Sequence, residues 1–222
     1  MIGDGAVILN KERGFTSLDA VAVLRGITGQ RKIGHTGTLD PQAEGVLVCL
    51  LGKATRAAGM DRPDAGKEYI ARMLLGRRTD TEDIWGSIIE EKTPDVSESD
   101  VREALGRFTG SLMQVPPAYS ALKINGRRSY DLARSGQKVA HEARPVMIHE
   151  IEVISADLPE VTFRVSCSAG TYIRSLCRDA GDLLGCGACM SGLTRTRSGA
   201  FTLDQARRLD ELQEMKGSGR LE

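Results

Sequence analysis

The chain has 222 residues, of which 41% are hydrophobic and 27% charged, a globular composition that excludes wholesale disorder. Its longest apolar run, residues 46–51, is far shorter than the roughly 20 residues of a membrane helix. Residues 1–14 lack the basic and apolar segments of a signal peptide. We therefore expect a cytoplasmic protein without a membrane segment, whose five cysteines are reduced.

The charges balance to zero, with 30 Lys and Arg against 30 Asp and Glu, which by itself argues against a polyanionic partner. Their distribution is uneven. Residues 11–56 hold 7 basic and 4 acidic side chains, residues 104–149 hold 7 and 2, and residues 164–199 hold 5 and 2, whereas residues 61–103 hold 7 and 12. The basic blocks predict one positive face of the molecule, although solvated surfaces explain any single block equally well.

The first half of the chain predicts strands, two helices and a glycine-rich loop. In chain order these are a strand at 5–11, a helix from a cap at Thr16 or Ser17 to 27, a polar loop at 34–45, a strand at 46–51, a strand at 67–75, a turn at 79–83, a return strand at 86–91 and a helix capped by Ser97. The run at 46–51 is apolar on both faces, which is typical of a strand at the centre of a sheet.

The second half predicts a hairpin, three strands and two helices. In chain order these are a hairpin turning at Asn125-Gly126, strands at 146–154 and 161–167, a helix at 171–184, a strand at 188–197 and a last helix, begun by a Thr202–Gln205 capping box, to about residue 215. The helical spacing places Arg174 and Arg178 on the polar side of the helix at 171–184. Strands and helices without strict alternation indicate an α+β fold.

The glycine-rich segment at 34–45 offers the clearest candidate for chemistry. Asp40 precedes a proline, which favours an extended backbone, and it lies just before the central strand. A carboxylate on a loop held by a rigid element is well placed to act as a nucleophile or a general base. The alternative is an Asp-Pro turn in which Asp40 accepts bonds from backbone amides.

Three further features allow more than one interpretation. Tyr69 could stack on a nucleobase or be an ordinary half-buried strand tyrosine. Arg174, near a helix N-terminus, is unfavourably placed in the helix dipole unless a carboxylate lies nearby, and it could also be a solvated surface arginine. Cys186 and Cys189 have the spacing of zinc ligands, but no second pair exists, so we expect structural thiols.

Several motifs, in this order along the chain, resemble those of the TruB family of tRNA pseudouridine synthases. The matching segments are residues 11–17 for the N-terminal Lys-Pro-x-Gly-x-Thr-Ser motif, 34–47 for the catalytic motif, 67–83 for the second motif, 114–134 for an RNA-gripping insertion, and 167–174 with 193–201 for the last motifs. The first motif is degenerate, because Asn10 and Glu12 stand where the family usually has Asp and Pro.

This resemblance implies a pseudouridine synthase fold, with a central mixed, mostly antiparallel sheet flanked by helices and loops. It implies a single catalytic domain over residues 1–222 with a basic insertion at about 114–145, and no C-terminal RNA-binding domain. The implied activity is isomerisation of uridine to pseudouridine at position 55 in the T-loop of tRNA, without cofactor or metal. We expect a monomer that needs tRNA but no protein partner.

The resemblance also assigns roles to individual residues. Asp40 matches the catalytic aspartate, Tyr69 the tyrosine that stacks on the target base, and Arg174 the arginine that pairs with the aspartate. His35 matches a histidine placed against the T-loop during base extrusion, while Lys11 and Leu193 support the active site. The residues expected to bind RNA are Tyr119, Lys123, Arg127, Arg128 and Arg134.

Two other functions remain open at this point. One is an RNA-folding module that binds the tRNA arm and whose catalysis is secondary or absent, an interpretation that rests on the basic residues at 104–149. The other is a guide-RNA-dependent enzyme of a multi-protein particle. The form of the catalytic motif at 34–40 favours a stand-alone enzyme over that second alternative.

Overall fold

The structure is a computed structural model that describes residues 3–59, 66–124, 126–137 and 139–220, with the backbone alone at Ala58, Gly59 and Arg128. The chain forms two compact units. The first comprises Met1–Ile70 with Leu193–Glu222, and the second comprises Ala71–Gly192. The predictions of a single domain over residues 1–222 and of no C-terminal RNA-binding domain stay predictions.

Helices and short strands alternate irregularly along the chain, as an α+β fold requires. In chain order the elements are β1 (Gly5–Lys11), α1 (Ser17–Thr28), β2 (Ile33–His35), β3 (Glu44–Leu51), a 3₁₀ segment (Gly52–Gly59), β4 (Lys67–Leu75), β5 (Arg77–Thr79), β6 (Ile88–Glu91), α2 (Glu98–Gly106), β7 (Gly110–Gln114), β8 (Lys123–Ile124), β9 (Arg127–Arg128), α3 (Ser129–Arg134), β10 (Arg144–Asp157), β11 (Glu160–Cys167), α4 (Ile173–Leu183), β12 (Ala188–Ser198), β13 (Phe201–Thr202), a 3₁₀ turn (Leu203–Gln205) and α5 (Leu209–Gly217). The chain passes from one unit to the other within β4 and again within β12.

Strand β3 is the centre of the sheet in the first unit. It pairs antiparallel with β1, from Gly5 opposite Leu51 to Lys11 opposite Gly45, and antiparallel with β2. It also pairs in parallel with β12, where Arg195 lies opposite Gly45. Residues 45–51 are all buried, which confirms the prediction of a central strand from its apolar run.

Helix α1 begins where the sequence predicts. The Thr16 hydroxyl accepts a hydrogen bond from the Asp19 amide (3.0 Å), and the Asp19 carboxylate accepts one from the Thr16 amide (3.0 Å), which forms a capping box. Its buried face includes Val21, Leu24 and Ile27, as the helical spacing predicts.

Among the described residues no helix combines the length and apolar character needed to cross a membrane.

The second unit is built on strands in the order β4–β11–β10–β7, with β10 antiparallel to both of its neighbours. Its core contains Met73, Ile148, Phe163 and Leu176, each at most 1% exposed. The Ser97 capping box starts α2, as predicted. The edge strand β7 is not predicted by the sequence, because its residues, Gly-Ser-Leu-Met-Gln, carry no apolar run. In the structure only Gln114, at its end, is buried.

Two local predictions are corrected or refined. The Thr202–Gln205 capping box closes a single 3₁₀ turn, and α5 begins later, at Leu209. The reason is that the intervening backbone pairs with β1, since the Arg207 amide donates to Ile8 O and the Asn10 amide donates to Arg207 O (2.9 Å each). The hairpin turning at Asn125-Gly126 is confirmed from its strands β8 and β9, although each is only two residues long; Asn125 itself lies outside the described residues.

Candidate active site

The loop that carries Asp40 connects β2 to β3 in the first unit. The Thr36 amide donates to Val48 O (3.1 Å) at the start of the loop, and the Ala43 amide donates to Asp40 O (3.0 Å) around the Pro41 turn. The side chain of Asp40 is half-buried. Both ends of the loop therefore continue directly from paired strands, which is the rigid placement that the sequence predicted.

Side chains from the N-terminal motif hold the two residues that flank Asp40. The Ser17 hydroxyl, 2% exposed, accepts from the Leu39 amide (2.9 Å) and donates to Leu39 O (3.1 Å). On the other side, Pro41 O accepts from the Gly14 amide (2.9 Å) and from Lys11 Nζ (3.2 Å). The motif that resembles the family's N-terminal signature thus fixes the backbone on both sides of Asp40.

Lys11 is fully buried beneath this loop. Its ammonium group donates to Phe15 O (2.7 Å), Glu12 O (2.9 Å) and Pro41 O (3.2 Å), so all three N–H donors have carbonyl acceptors. Burial lowers the pKa of Lys11 to about 8, with a contribution from the charge of Arg195, while Asp40 and Glu44 act in the opposite direction. Lys11 thus contacts the Asp40 loop through its backbone, and its support of the active site stays a prediction.

Arg195 is a residue of this site that the sequence did not single out. It lies on β12, is 1% exposed, and donates from Nε to Val46 O (2.7 Å), from Nη2 to Gly37 O (3.1 Å) and from Nη1 to Thr38 O (3.4 Å). The signal that could have found it is an arginine at an inward position of an otherwise buried strand, because a buried guanidinium must have acceptors.

Three other predicted site residues belong to the first unit. Tyr69 on β4 is buried at 6% exposure, and Leu193 on β12 is half-buried. His35 on β2 has a pKa lowered by burial and, secondarily, by the charge of Arg195. Its Nδ1 atom is buried and has no hydrogen-bond partner within the described part of the chain. The lowered pKa favours the neutral ring, but the unused nitrogen is buried and does not face solvent. The contact of His35 with the T-loop stays a prediction from the resemblance.

Arg174 belongs to the second unit, and its predicted environment needs correction. It is 6% exposed rather than solvated on a polar helix face. Its guanidinium donates to Tyr119 O (2.9 Å) and Thr81 O (3.1 Å) and lies 4.0 Å from an Asp83 carboxylate oxygen. These acceptors cover the helix side that helical spacing alone assigned to solvent, and Asp83 supplies the carboxylate expected to offset the helix dipole.

The residues expected to bind RNA lie in the second unit, in the insertion between β7 and β10. Lys123, Arg127 and Arg134 are exposed, and the Arg134 guanidinium lies 5.7 Å from the ring centroid of Tyr130. Tyr119 is half-buried, and its carbonyl accepts the Arg174 bond described above. The side chain of Arg128 lies outside the described residues. The structure therefore presents Lys123, Arg127 and Arg134 to solvent.

The insertion is anchored at its base to the start of α4. The Gln114 side chain donates to Tyr172 O (3.0 Å) and accepts from the Tyr172 amide (2.8 Å), while Arg178 Nη2 donates to Val115 O (3.1 Å). Arg178 also pairs with Glu82. Like Arg174, Arg178 thus turns toward acceptors of its own unit rather than toward water.

A cleft of about 460 Å³ in the first unit does not coincide with the predicted catalytic residues. Its lining is strongly charged, and neither Asp40 nor Tyr69 contributes to it; the lining residues are Asn10, Lys11, Glu12, Arg13, Glu44, Thr194, Leu203 and Arg208.

In the second unit, Cys189 is buried, which raises its pKa to about 11 and disfavours the thiolate that a zinc site requires.

Comparison with known protein families agrees with the motif pattern. A family model described as TruB family pseudouridylate synthase (N terminal domain) matches residues 25–173, and one described as tRNA pseudouridylate synthase B C-terminal domain matches residues 174–219. A tRNA pseudouridine synthase B of Syntrophus aciditrophicus is 49% identical over 96% of this chain and 68% of its own length. One of Clostridium acetobutylicum is 47% identical over 95% of this chain and 73% of its own length.

Two solved structures that match this chain come from larger assemblies. A crystal structure of a Cbf5-Nop10-Gar1 complex matches 97% of this chain with a TM-score of 0.75 and 35% identity. A structure of an H/ACA RNP bound to a substrate RNA containing 2'-deoxyuridine matches 97% with a TM-score of 0.71 and 34% identity. The chain spans just over half the length of the chains it matches there, 56% and 55%.

Proposed function

This chain belongs to the TruB family of tRNA pseudouridine synthases and is therefore an isomerase, and we propose that it converts uridine 55, in the T-loop of tRNA, to pseudouridine with Asp40 as the nucleophile. The observation that carries this proposal is the way the first unit holds the Asp40 loop. Ser17 and Lys11 fix the peptides on either side of Asp40, which is the preorganisation that a nucleophile needs.

The chemistry requires a carboxylate and proton transfers but no redox partner. The bond between ribose C1′ and uracil N1 breaks, the base turns, and C1′ bonds to C5; C5 loses a proton and N1 gains one. Attack by Asp40 on the ribose or on the base ring divides this exchange into two steps through a covalent intermediate. Because the reaction is an isomerisation, nothing is oxidised and no water is consumed.

The uridine must leave its stack before Asp40 can reach it, which costs a few kcal/mol. We propose that Tyr69 stacks on the extruded base, since a base–aromatic contact returns about 1–3 kcal/mol. His35 bonds the T-loop through its neutral ring, and Leu193 packs beside the site. The role of Arg174 as cationic partner of the catalytic carboxylate stays a prediction from the resemblance.

The substrate arm is held by the insertion. Its exposed side chains, Lys123, Arg127 and Arg134, carry the positive charge that phosphate contacts need, and Tyr119 and Arg128 complete the set expected from the sequence. We further propose that the chain acts as a monomer on tRNA, without a protein partner and in the cytoplasm.

The test is an unmodified tRNA transcript incubated with the purified chain alone, with pseudouridine mapped at every uridine. The expected product is pseudouridine at position 55 with the wild type and with Asp204→Asn, a control at an exposed aspartate of the same unit. Asp40→Asn is expected to bind the transcript and form no product. Full activity of Asp40→Asn would contradict the assignment of the nucleophile.

A second candidate function is guide-dependent modification, which the likeness to chains of H/ACA assemblies favours. The same experiment separates the two. Product on naked tRNA supports the stand-alone enzyme, whereas product only after addition of a guide RNA and its proteins supports the particle. Tight tRNA binding without product under either condition supports the RNA-folding module instead.

A further inference from the structure

Arg195 touches the Asp40 loop at both of its ends. Its side chain bonds Gly37 O and Thr38 O before Asp40, and Val46 O after it. These three carbonyls are about 150 residues away from Arg195 in sequence. One side chain of β12 therefore spans the loop that presents the proposed nucleophile.

The backbone of the same residue fixes the C-terminal end of the loop. Arg195 lies opposite Gly45 in the parallel β12–β3 pairing. Gly45 has φ +102°, and a Cβ atom placed there would lie 2.3 Å from Arg195 O. Only glycine, which has no Cβ atom, permits this approach, so Gly45 allows the backbones of β3 and β12 to lie side by side at Arg195.

The bonds of Arg195 go to backbone carbonyls, and among the described residues no acidic side chain forms an ion pair with it. A buried charge is costly unless it is fully hydrogen-bonded, so the loop carbonyls are what makes its burial tolerable. The dependence is mutual, because the planar guanidinium offers the carbonyls several N–H donors in a fixed arrangement. A lysine ammonium has no such arrangement and cannot reach carbonyls at both ends of the loop.

The loop also passes close to a second cation. A Cβ atom built on Gly37 would lie 3.4 Å from Lys67 Nζ and 3.7 Å from Arg195 Nη1. These are ordinary van der Waals distances, so the two cations lie beside Gly37 without closing the space around it. The Arg195 bonds to Gly37 O and Thr38 O are therefore the interactions that orient this part of the loop.

We propose that Arg195 is a positioning residue for catalysis, which holds the Asp40 loop in its reactive geometry before RNA binds. This inference rests on the proposed function, in which Asp40 is the nucleophile. Arg195 therefore affects the rate of the chemical step and not the affinity for RNA.

The test compares Arg195→Lys with Arg197→Lys in the full chain. Arg197 is the matched control, because it lies two residues along the same strand and its side chain donates to Gly199 O. Single-turnover rate and tRNA Kd are measured for both variants. We expect Arg195→Lys to lose about 100-fold in rate, as a misplacement near 1 Å does, with Kd within twofold of wild type, and Arg197→Lys to match wild type in both.

Amide exchange gives a readout that does not depend on activity. In the wild type the Leu39 amide donates to the Ser17 hydroxyl and the Ala43 amide donates to Asp40 O, so both should exchange as slowly as amides of β3. In Arg195→Lys the loss of protection should be confined to residues 36–43. Fast exchange of these amides in the wild type overturns the inference, even if the variant does not fold.

The outcomes separate this inference from the proposed function. If Asp40→Asn is inactive and Arg195→Lys retains the wild-type rate, the function stands and the role of Arg195 is wrong. If Arg195→Lys loses rate and affinity together, the positioning role is also wrong. If the wild type forms no pseudouridine, the proposed function fails, and loop protection in wild type and in Arg195→Lys alone decides the role of Arg195.

Discussion

The Asp40 loop and the insertion between β7 and β10 differ in how their polar side chains are used: buried in the loop, exposed in the insertion. In the loop, buried donors from Lys11, Ser17 and Arg195 bond the backbone. In the insertion, Lys123, Arg127 and Arg134 are exposed, on two-residue strands and a short helix. Chemistry needs one fixed geometry, whereas phosphate contacts need reachable charge. We infer that the loop determines rate and the insertion determines affinity.

The interior of the insertion is nevertheless ordered by a small buried cluster. The Ser129 hydroxyl, which is fully buried, bonds Ala118 O and lies 2.8 Å from His141 Nε2, and the Ser120 hydroxyl lies 3.3 Å from the same nitrogen. The pKa of His141 is lowered by burial and by the charge of Arg144, which favours the neutral ring. Because Ser129 Oγ donates its only proton to Ala118 O, it acts as the acceptor toward an Nε2–H of His141. The insertion thus has a polar core of its own beneath its exposed cations.

The largest expected effect comes from Asp40→Asn. Removal of the nucleophile should reduce the rate on the order of 10⁴-fold or more, because the amide cannot form the covalent intermediate. The tRNA Kd should stay within twofold of wild type, since the backbone bonds of the loop do not involve this side chain. A filter-binding and single-turnover assay measures both quantities, and a large loss of affinity would break the division between loop and insertion.

A pH titration sharpens the role of Lys11. Above its pKa of about 8 the amine keeps only two N–H donors for three carbonyls, so the single-turnover rate should decline as pH rises through 8. Stability should change in the opposite direction. The folded-state pKa lies below the ordinary value of 10.5, so the unfolded chain binds more protons between pH 8 and 10.5.

The contribution of Lys11 to the free energy of unfolding therefore increases with pH across that window. Chemical denaturation of the wild type and of Lys11→Met at pH 7.5 and 9.5 measures it. We expect the difference in unfolding free energy between the two proteins to change by about 2 kcal/mol, in favour of the wild type at the higher pH. A rate and a stability that both rise with pH would contradict this account of Lys11.

Substitutions in the insertion should change the affinity for tRNA and leave the rate unchanged. Lys123→Ala combined with Arg127→Ala should weaken tRNA binding about tenfold or more and reduce the salt dependence of log K by about 1 for each phosphate that the variant no longer neutralises. The rate at saturating enzyme should not change. As a control, Arg107→Ala removes an exposed arginine on the C-terminal side of α2, outside the insertion, and should leave both the Kd and its salt slope near wild type. Equal salt slopes for wild type and the double variant would contradict the assignment.

The smallest effect is expected from Ser129→Ala. Loss of one buried hydrogen-bond donor costs about 0.5–1.5 kcal/mol in the local stability of the insertion, which should weaken tRNA binding a few-fold with no change in rate. Amide exchange in residues 118–134 reports the local loosening. A drop in rate without a drop in affinity would show that the insertion contributes to chemistry.

The sequence predicts those features that short-range signals determine. The burial of β3, the caps at Thr16 and Ser97 and the pairing of β8 with β9 follow from neighbouring residues, and the structure confirms them. The candidate nucleophile Asp40 was found from its loop alone, and its role stays a proposal.

Features that depend on distant acceptors could not be predicted in this way. Arg174 and Arg195 are buried because carbonyls far away in sequence surround them, at Thr81 and Tyr119 for the first and at Gly37 and Val46 for the second. Their helical or strand spacing carries no information about those partners. The late start of α5 has the same origin, since residues 206–208 pair with β1 across most of the chain length.

The most direct test of this account measures single-turnover rate and tRNA Kd for Arg195→Lys and for the Lys123→Ala, Arg127→Ala double variant side by side. We predict a crossed result, in which the first variant loses rate and keeps affinity and the second loses affinity and keeps rate. The same pattern in both variants, whether in rate, in affinity or in both, would contradict the division of labour between the Asp40 loop and the insertion.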